Sequence, residues 1–233
     1  MTTAPATTAA STGTLPAAVL WDMDGTLVDT EPYWIAAEHE LVDAHGGTWS
    51  HEQALQLVGN SLPASARILQ AAGVRLGEAE IVEFLLDRVV ASVRTHVPWR
   101  PGARELLRTV ADAGVPCALV TMSYRRFAAE VVAQTDGALR VVVTGDDVAH
   151  GKPHPEAYLT AAERLGVPID ECVAIEDSPT GIASALASGA RTLGVEAVVP
   201  VPPQPGLSRA RSLEQVSLRT LAQLHAGHVI DLT

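Results

Sequence analysis

The chain has 233 residues, 47% of them hydrophobic, enough to bury a sizeable core as one large domain or as a main domain carrying a smaller one. A formal charge of −11 excludes the clustered basic surface that nucleic acid or an anionic membrane requires, and no stretch approaches the length of a membrane span. Cys117 and Cys172 lie in apolar runs without paired spacing, so they read as small buried hydrophobes of a cytoplasmic protein.

Residues 1–14 are uncharged and rich in Ala and Thr, and are expected to be a disordered tail. The apolar run 17–21, bounded by Pro16, has the length of a buried strand, and Asp22 stands at its carboxyl end. From there to about residue 100 the pattern is helical. It predicts helices over 33–46 and 63–73, one opened by the capping residues Ser50 to Gln53, and a longest helix over 77–96 with Ile81, Phe84, Leu85, Val89 and Val93 on one stripe. Pro98-Trp99-Arg100-Pro101-Gly102 ends it, which makes residues 31–100 an inserted helical cap between core segments 15–30 and 101–233.

Thereafter helices (102–114, 124–135, 155–166, 180–188) alternate with apolar strands (115–121, 141–144, 172–176, 191–195). Such alternation predicts an α/β fold with a doubly wound parallel sheet. Residues 200–206 read as a proline-rich linker, and 213–224 as a last amphipathic helix.

In an open α/β sheet, ligands bind beyond the carboxyl ends of the strands. Asp22 and Asp24 sit there, facing one way if strand geometry persists, and close carboxylates call for a cation or for one protonated partner. A second strand ends in Thr121-Met122-Ser123, whose hydroxyls suit an anion's oxygens. A third ends in Glu176-Asp177, which suit an oxygen-seeking cation such as Mg²⁺. Between them Lys152, the only lysine in the chain, opens a turn into a helix. Carboxylates, hydroxyls and one ammonium at strand edges are the inventory of a metal-assisted phosphoryl-transfer site.

The stretches DMDGTLVDT, VTMS, GKPHPEAY and AIEDSPTG, in that order, resemble the four motifs of the haloacid dehalogenase superfamily, and the helical insert resembles its type-1 cap. The likeness covers residues 15 to about 200. It implies that Asp22 attacks phosphorus to give an aspartyl-phosphate, while Asp24 protonates the leaving oxygen and later deprotonates the hydrolytic water. It implies that Mg²⁺ is held by the Asp22 carboxylate, the Asp24 main-chain carbonyl and Asp177, with Glu176 as a further ligand or a group behind them. Gly25, Thr121, Met122, Ser123 and Lys152 would bind the transferring phosphoryl group. The implied partner is a small phosphorylated metabolite, a sugar phosphate or phosphoglycolate-like acid, acted on by a monomer or weak homo-oligomer.

Other chemistries of the superfamily fit less well. Its dehalogenases lack the second aspartate, which is present here as Asp24, and its phosphonate-cleaving members use a cap lysine that residues 31–100 do not contain. The hexose-phosphate mutases are the alternative. They carry a cap histidine and a cap arginine where this chain aligns Trp34 and, after Gly59, Leu62. A non-catalytic phosphate-binding protein on the same fold would be expected to have lost polar groups, and only Met122, where the family often has Asn, departs. Trp34 and Tyr33 read as packing residues, His154 as a solvent-facing residue at a helix start rather than a metal ligand, and Arg125 and Arg126 as solvated charges.

Overall fold

The structure, a computed structural model, describes residues 13–57, 61–197 and 200–233. The tail expected over 1–14 therefore lies almost wholly outside the described residues, as do Gly59 and Asn60 of the cap alignment. The first strand, β1 (Ala18–Trp21), is followed by four helices, α1 (Glu31–Ala44), α2 (His51–Leu55), α3 (Leu62–Ala71) and α4 (Glu78–Thr95). The alternating half comprises α5 (Ala103–Asp112), β2 (Cys117–Val120), α6 (Arg125–Val132), β3 (Leu139–Val143), α7 (Glu156–Leu165), β4 (Cys172–Glu176), α8 (Pro179–Ser188) and β5 (Arg191–Val195). Then come β6 (Leu207–Ala210), α9 (Leu218–His225) and β7 (Asp231–Leu232).

The strands form one parallel sheet in the order β3-β2-β1-β4-β5-β6-β7. Two faces are covered, so β1, β2 and β4 are buried along their whole length, as continuous apolar runs require. The period of two divides them cleanly. Val19, Trp21, Cys117, Leu119, Val173 and Ile175 join a core with α5, α6 and α9, while Ala18, Leu20, Ala118, Val120 and Ala174 meet α7 and α8. The second face is built largely of alanines, Ala157, Ala161 and Ala162 of α7 among them, so that helix lies close to the sheet beneath the site.

Helices α1 to α4 surround a cluster of their own that includes Leu41, Leu69, Ile81 and Leu85. Ser50 caps α2 with the reciprocal Gln53 bonds that the sequence predicts. The two crossings between these helices and the sheet run side by side. Asp29 N–H donates to Pro98 O at 2.9 Å and Arg100 N–H to Leu27 O at 2.8 Å, so entry and exit meet at the end of β1. The far face of α4 packs on α6, where Trp34 stands edge-on to Phe127 with ring centroids 5.8 Å apart.

Two expectations are corrected after residue 195. The stretch after the proline-rich segment contains β6, and the chain ends near a two-residue strand, β7. Neither has an apolar run; Arg209 sits inside β6 and reaches the Asp231 carboxylate and, at 3.0 Å, Val201 O. The single helix expected over 213–224 is a short 3₁₀ turn, Leu213–Gln215, and then α9, because Ser217 accepts the Thr220 N–H and starts a new helix there.

Candidate active site

β1 lies between β2 and β4, and the chain leaves it in opposite directions on its two sides, so a crevice opens at their carboxyl ends. Asp22 is tied into it by its backbone, whose N–H donates to Ile175 O at 3.0 Å. Its Oδ1 accepts Lys152 Nζ at 2.6 Å, and its Oδ2 is buried without a hydrogen-bond partner among the described residues. Lys152 Nζ donates in addition to Glu176 Oε1 at 2.5 Å and Val120 O at 2.9 Å, using all three of its protons. Its side chain is 5% exposed.

Glu176 is fully buried, and protein donors occupy both its oxygens. Oε1 accepts Lys152 and the Tyr158 hydroxyl at 2.9 Å, while Oε2 accepts the Asp177 and Ser178 N–H groups and the Ser178 hydroxyl at 3.1 Å. Asp177 keeps one oxygen for the Thr26 hydroxyl at 3.1 Å. Its other oxygen stands against Gly25, where a Cβ would come within 2.1 Å of it; that approach, together with a φ of +89°, admits only glycine.

Asp24 faces other partners. Its Oδ1 accepts the Thr30 hydroxyl at 2.6 Å and its Oδ2 the Ser123 hydroxyl at 2.7 Å, so the second and first strand ends are joined through it. Thr121 is buried, and its Oγ1 accepts the Ser123 N–H at 3.0 Å. Met122 sends its side chain elsewhere. Its sulfur contacts Gly151 and accepts the Lys152 N–H at 3.3 Å, so the thioether braces the lysine turn rather than meeting an anion. The sequence-predicted residues are thus gathered at one crevice, with the Met122 side chain as the exception.

The electrostatics follow from burial and surplus negative charge. Burial drives the Asp22 carboxyl well above the usual carboxylate range, Glu176 and Asp177 add to the rise, and Lys152 opposes it. Asp177 is pushed up to about 7, first by burial and then by Glu176, against the Thr26 hydrogen bond. Asp24 is raised chiefly by burial, with Thr30 and Ser123 pulling the other way. Burial alone would lower the Lys152 pKa, but Asp22 and Glu176 outweigh it and hold the ammonium charged. One ammonium does not neutralise this many carboxylates. An unpaired buried oxygen on Asp22, Asp177 beside it and an all-oxygen donor set fit a hard divalent cation.

Four partners escape a reading by residue type. Tyr158, Ser178, Thr26 and Thr30 hold Glu176, Asp177 and Asp24 in place. Tyr158 carries the one available signal, a polar tip on the apolar face of a helix six residues after the only lysine.

Carboxylates around one ammonium at a parallel-sheet switch point fit the class of phosphoryl-transfer enzymes. Residues 16–189 match the family model described as haloacid dehalogenase-like hydrolase, and the chain belongs to that family. It is 35% identical over 189 residues to hexitol phosphatase A of Escherichia coli, covering 78% of this chain and 84% of that protein. It is 32% identical over 178 residues to a phosphorylated carbohydrates phosphatase of Thermotoga maritima, covering 74% and 81%. Among solved structures, CbbY of Rhodobacter sphaeroides in complex with phosphate superposes with a TM-score of 0.76 at 27% identity, covering 86% of this chain and 96% of that one.

Proposed function

We propose that this chain is a Mg²⁺-dependent phosphatase of small phosphorylated sugars and related acids that works through an aspartyl-phosphate on Asp22. The observation that carries this reading is the arrangement of Asp22, with one oxygen on Lys152 and the other buried, unpaired and next to Asp177. The Asp22 and Asp177 carboxylates and the Asp24 carbonyl would hold the ion, which supplies positive charge against the phosphoryl oxygens. Glu176 serves behind them as a positioning residue, since its oxygens already accept five hydrogen bonds.

The chain's own groups divide the reaction between them. The Asp22 carboxylate attacks phosphorus, the bond to the leaving oxygen breaks, and Asp24, whose burial favours its neutral form, gives that oxygen its proton. Water then attacks the phosphoaspartate, Asp24 takes the proton back, and inorganic phosphate leaves with Asp22 restored. Lys152, its ammonium fixed by Asp22, Glu176 and Val120 O, sets a positive charge beside the phosphoryl oxygens, and the Thr121 hydroxyl and the backbone N–H groups near it supply the hydrogen-bond donors. Residues 31–100 act as the cap that excludes bulk water and contacts the leaving group. The reducing cytoplasm suits the two free, buried cysteines.

Trp34 packs on Phe127 and Leu62 on the main core, so neither cap position offers the polar group that a mutase needs to reorient a bisphosphate. The test is phosphate release from a panel of phosphomonoesters with and without Mg²⁺, beside a hexose 1-phosphate to 6-phosphate assay primed with bisphosphate. Release that depends on Mg²⁺ and falls about 10⁴-fold or more in Asp22→Asn is expected. Isomerisation without release would replace this reading with the mutase, and release undiminished in Asp22→Asn would refute the nucleophile.

A further inference from the structure

The turn that carries Lys152 holds a second set of ligating side chains that phosphate chemistry leaves unused. His150, His154 and Glu156 flank the lysine at the entry to α7, and one ligand atom from each lies within 4.8 Å of the others. His150 Nδ1 is 2.9 Å from Glu156 Oε2, and His154 Nδ1 is 3.8 Å from the same oxygen. The carboxylate is held for both. Its Oε1 accepts the Ala149 N–H at 2.7 Å and its Oε2 the His150 N–H at 3.0 Å.

His150 meets the carboxylate directly, whereas His154 Nδ1 accepts the Glu156 N–H at 3.3 Å, and the two rings stand together with centroids 4.8 Å apart. Both rings are largely exposed, so they can turn without disturbing the core. Ligand atoms around a tetrahedral ion with bonds of about 2.0–2.2 Å stand roughly 3.3 Å apart, which is a side-chain rotation away from the spacing seen.

We propose that His150, His154 and Glu156 form a second metal site, for a borderline transition-metal ion such as Zn²⁺, distinct from the oxygen-lined site at Asp22 and Asp177. The donor sets sort the two ions. Imidazole nitrogens suit Zn²⁺ and related ions, whereas Mg²⁺ takes oxygen ligands in octahedral geometry and keeps its waters. His150 and His154 stand two residues to either side of Lys152, so an ion bridging them clamps the turn that presents the ammonium.

The test is a Zn²⁺ titration against a competing chromophoric chelator, with millimolar Mg²⁺ present to fill the oxygen site. Hydrogen exchange of residues 149–156 is followed in parallel. One Zn²⁺ per chain is expected, not displaced by Mg²⁺. Affinity should fall about 100-fold in His150→Asn and in His154→Asn and stay unchanged in His51→Asn, a distant exposed histidine. Zinc should slow exchange at 149–156 in the parent protein and not in the double variant. Circular dichroism of the variants separates lost ligands from lost fold. No retained zinc, zinc displaced by Mg²⁺, or equal binding by the double variant would overturn the proposal.

Discussion

Glu176 shows how one buried carboxylate organises its neighbours. It has no exposure, and Gly181 in the first turn of α8 lies so close that an added Cβ would meet the carboxylate at 1.9 Å. Gly181→Ala should therefore displace Glu176 and with it Lys152. The expected result is a loss of about 1–3 kcal/mol of stability by denaturant titration, as overpacking costs, with a fall in kcat larger than any change in KM. Tyr158→Phe makes a milder change at the same oxygen. It removes one donor and leaves Lys152 in place, so a loss of about 1 kcal/mol, read as a lower denaturation midpoint at unchanged m-value, is expected. At this scale the carboxylates and the lysine are legible in the sequence because their motifs are local and ordered. The hydroxyls that position them are not, because a Thr or Tyr gives no sign of the partner it will meet across the sheet. Met122 is a case where the side chain's direction was not legible: its thioether packs against the neighbouring turn and accepts the Lys152 N–H.

Among elements, the contact of α4 with α6 joins the inserted helices to the sheet's helical layer. Arg126 pairs with Glu83 at 2.8 Å and with Asp87, and Arg94 pairs with Glu130 at 2.6 Å. Arg126 is exposed as expected from the sequence, but it is engaged with α4, and Arg125 likewise reaches Asp147 at 2.5 Å. Exposed pairs contribute at most about 1 kcal/mol each and are screened by salt. The Arg94→Ala, Arg126→Ala double variant should thus lose less than about 2 kcal/mol of stability. It should also lose most of the ionic-strength dependence of KM; an unchanged salt response would mean that these pairs do not bias the cap. The helices were legible from their apolar period, whereas β6 and β7 were not. Their residues are strands because β5 offers an edge to pair with, and composition carries no trace of that.

For the molecule as a whole, the surplus of buried negative charge links stability, pH and metal. In the metal-free protein Asp177 keeps its proton up to about 7, whereas an unfolded carboxyl releases it near 4. Between those values the folded state binds more protons than the unfolded one, so raising the pH through this window lowers stability, and the loss is complete above 7. Asp22, also raised, acts in the same direction. A divalent ion bound as proposed would take the place of those protons. The rise in Tm on saturating with Mg²⁺ should be larger at pH 8 than at pH 6; equal shifts would show that these carboxylates are not its ligands.

The sequence by itself determined the α/β alternation, the helical insert between β1 and α5, and the three strand ends and one turn where polar groups collect. Each is a local property, written in periods of two or 3.6 and in contiguous motifs. Only the tertiary structure decided what those groups do to one another. Asp22 and Lys152 are 130 residues apart, and Lys152 and Glu176 are 24 apart; they meet because β1 pairs with both β2 and β4, so that three strand ends and the turn after β3 open on one crevice. Burial then sets their charges, and no window of sequence measures burial. The same holds for His154, which reads as a solvent-facing residue at a helix start until the turn around Lys152 brings its ring beside His150 and Glu156.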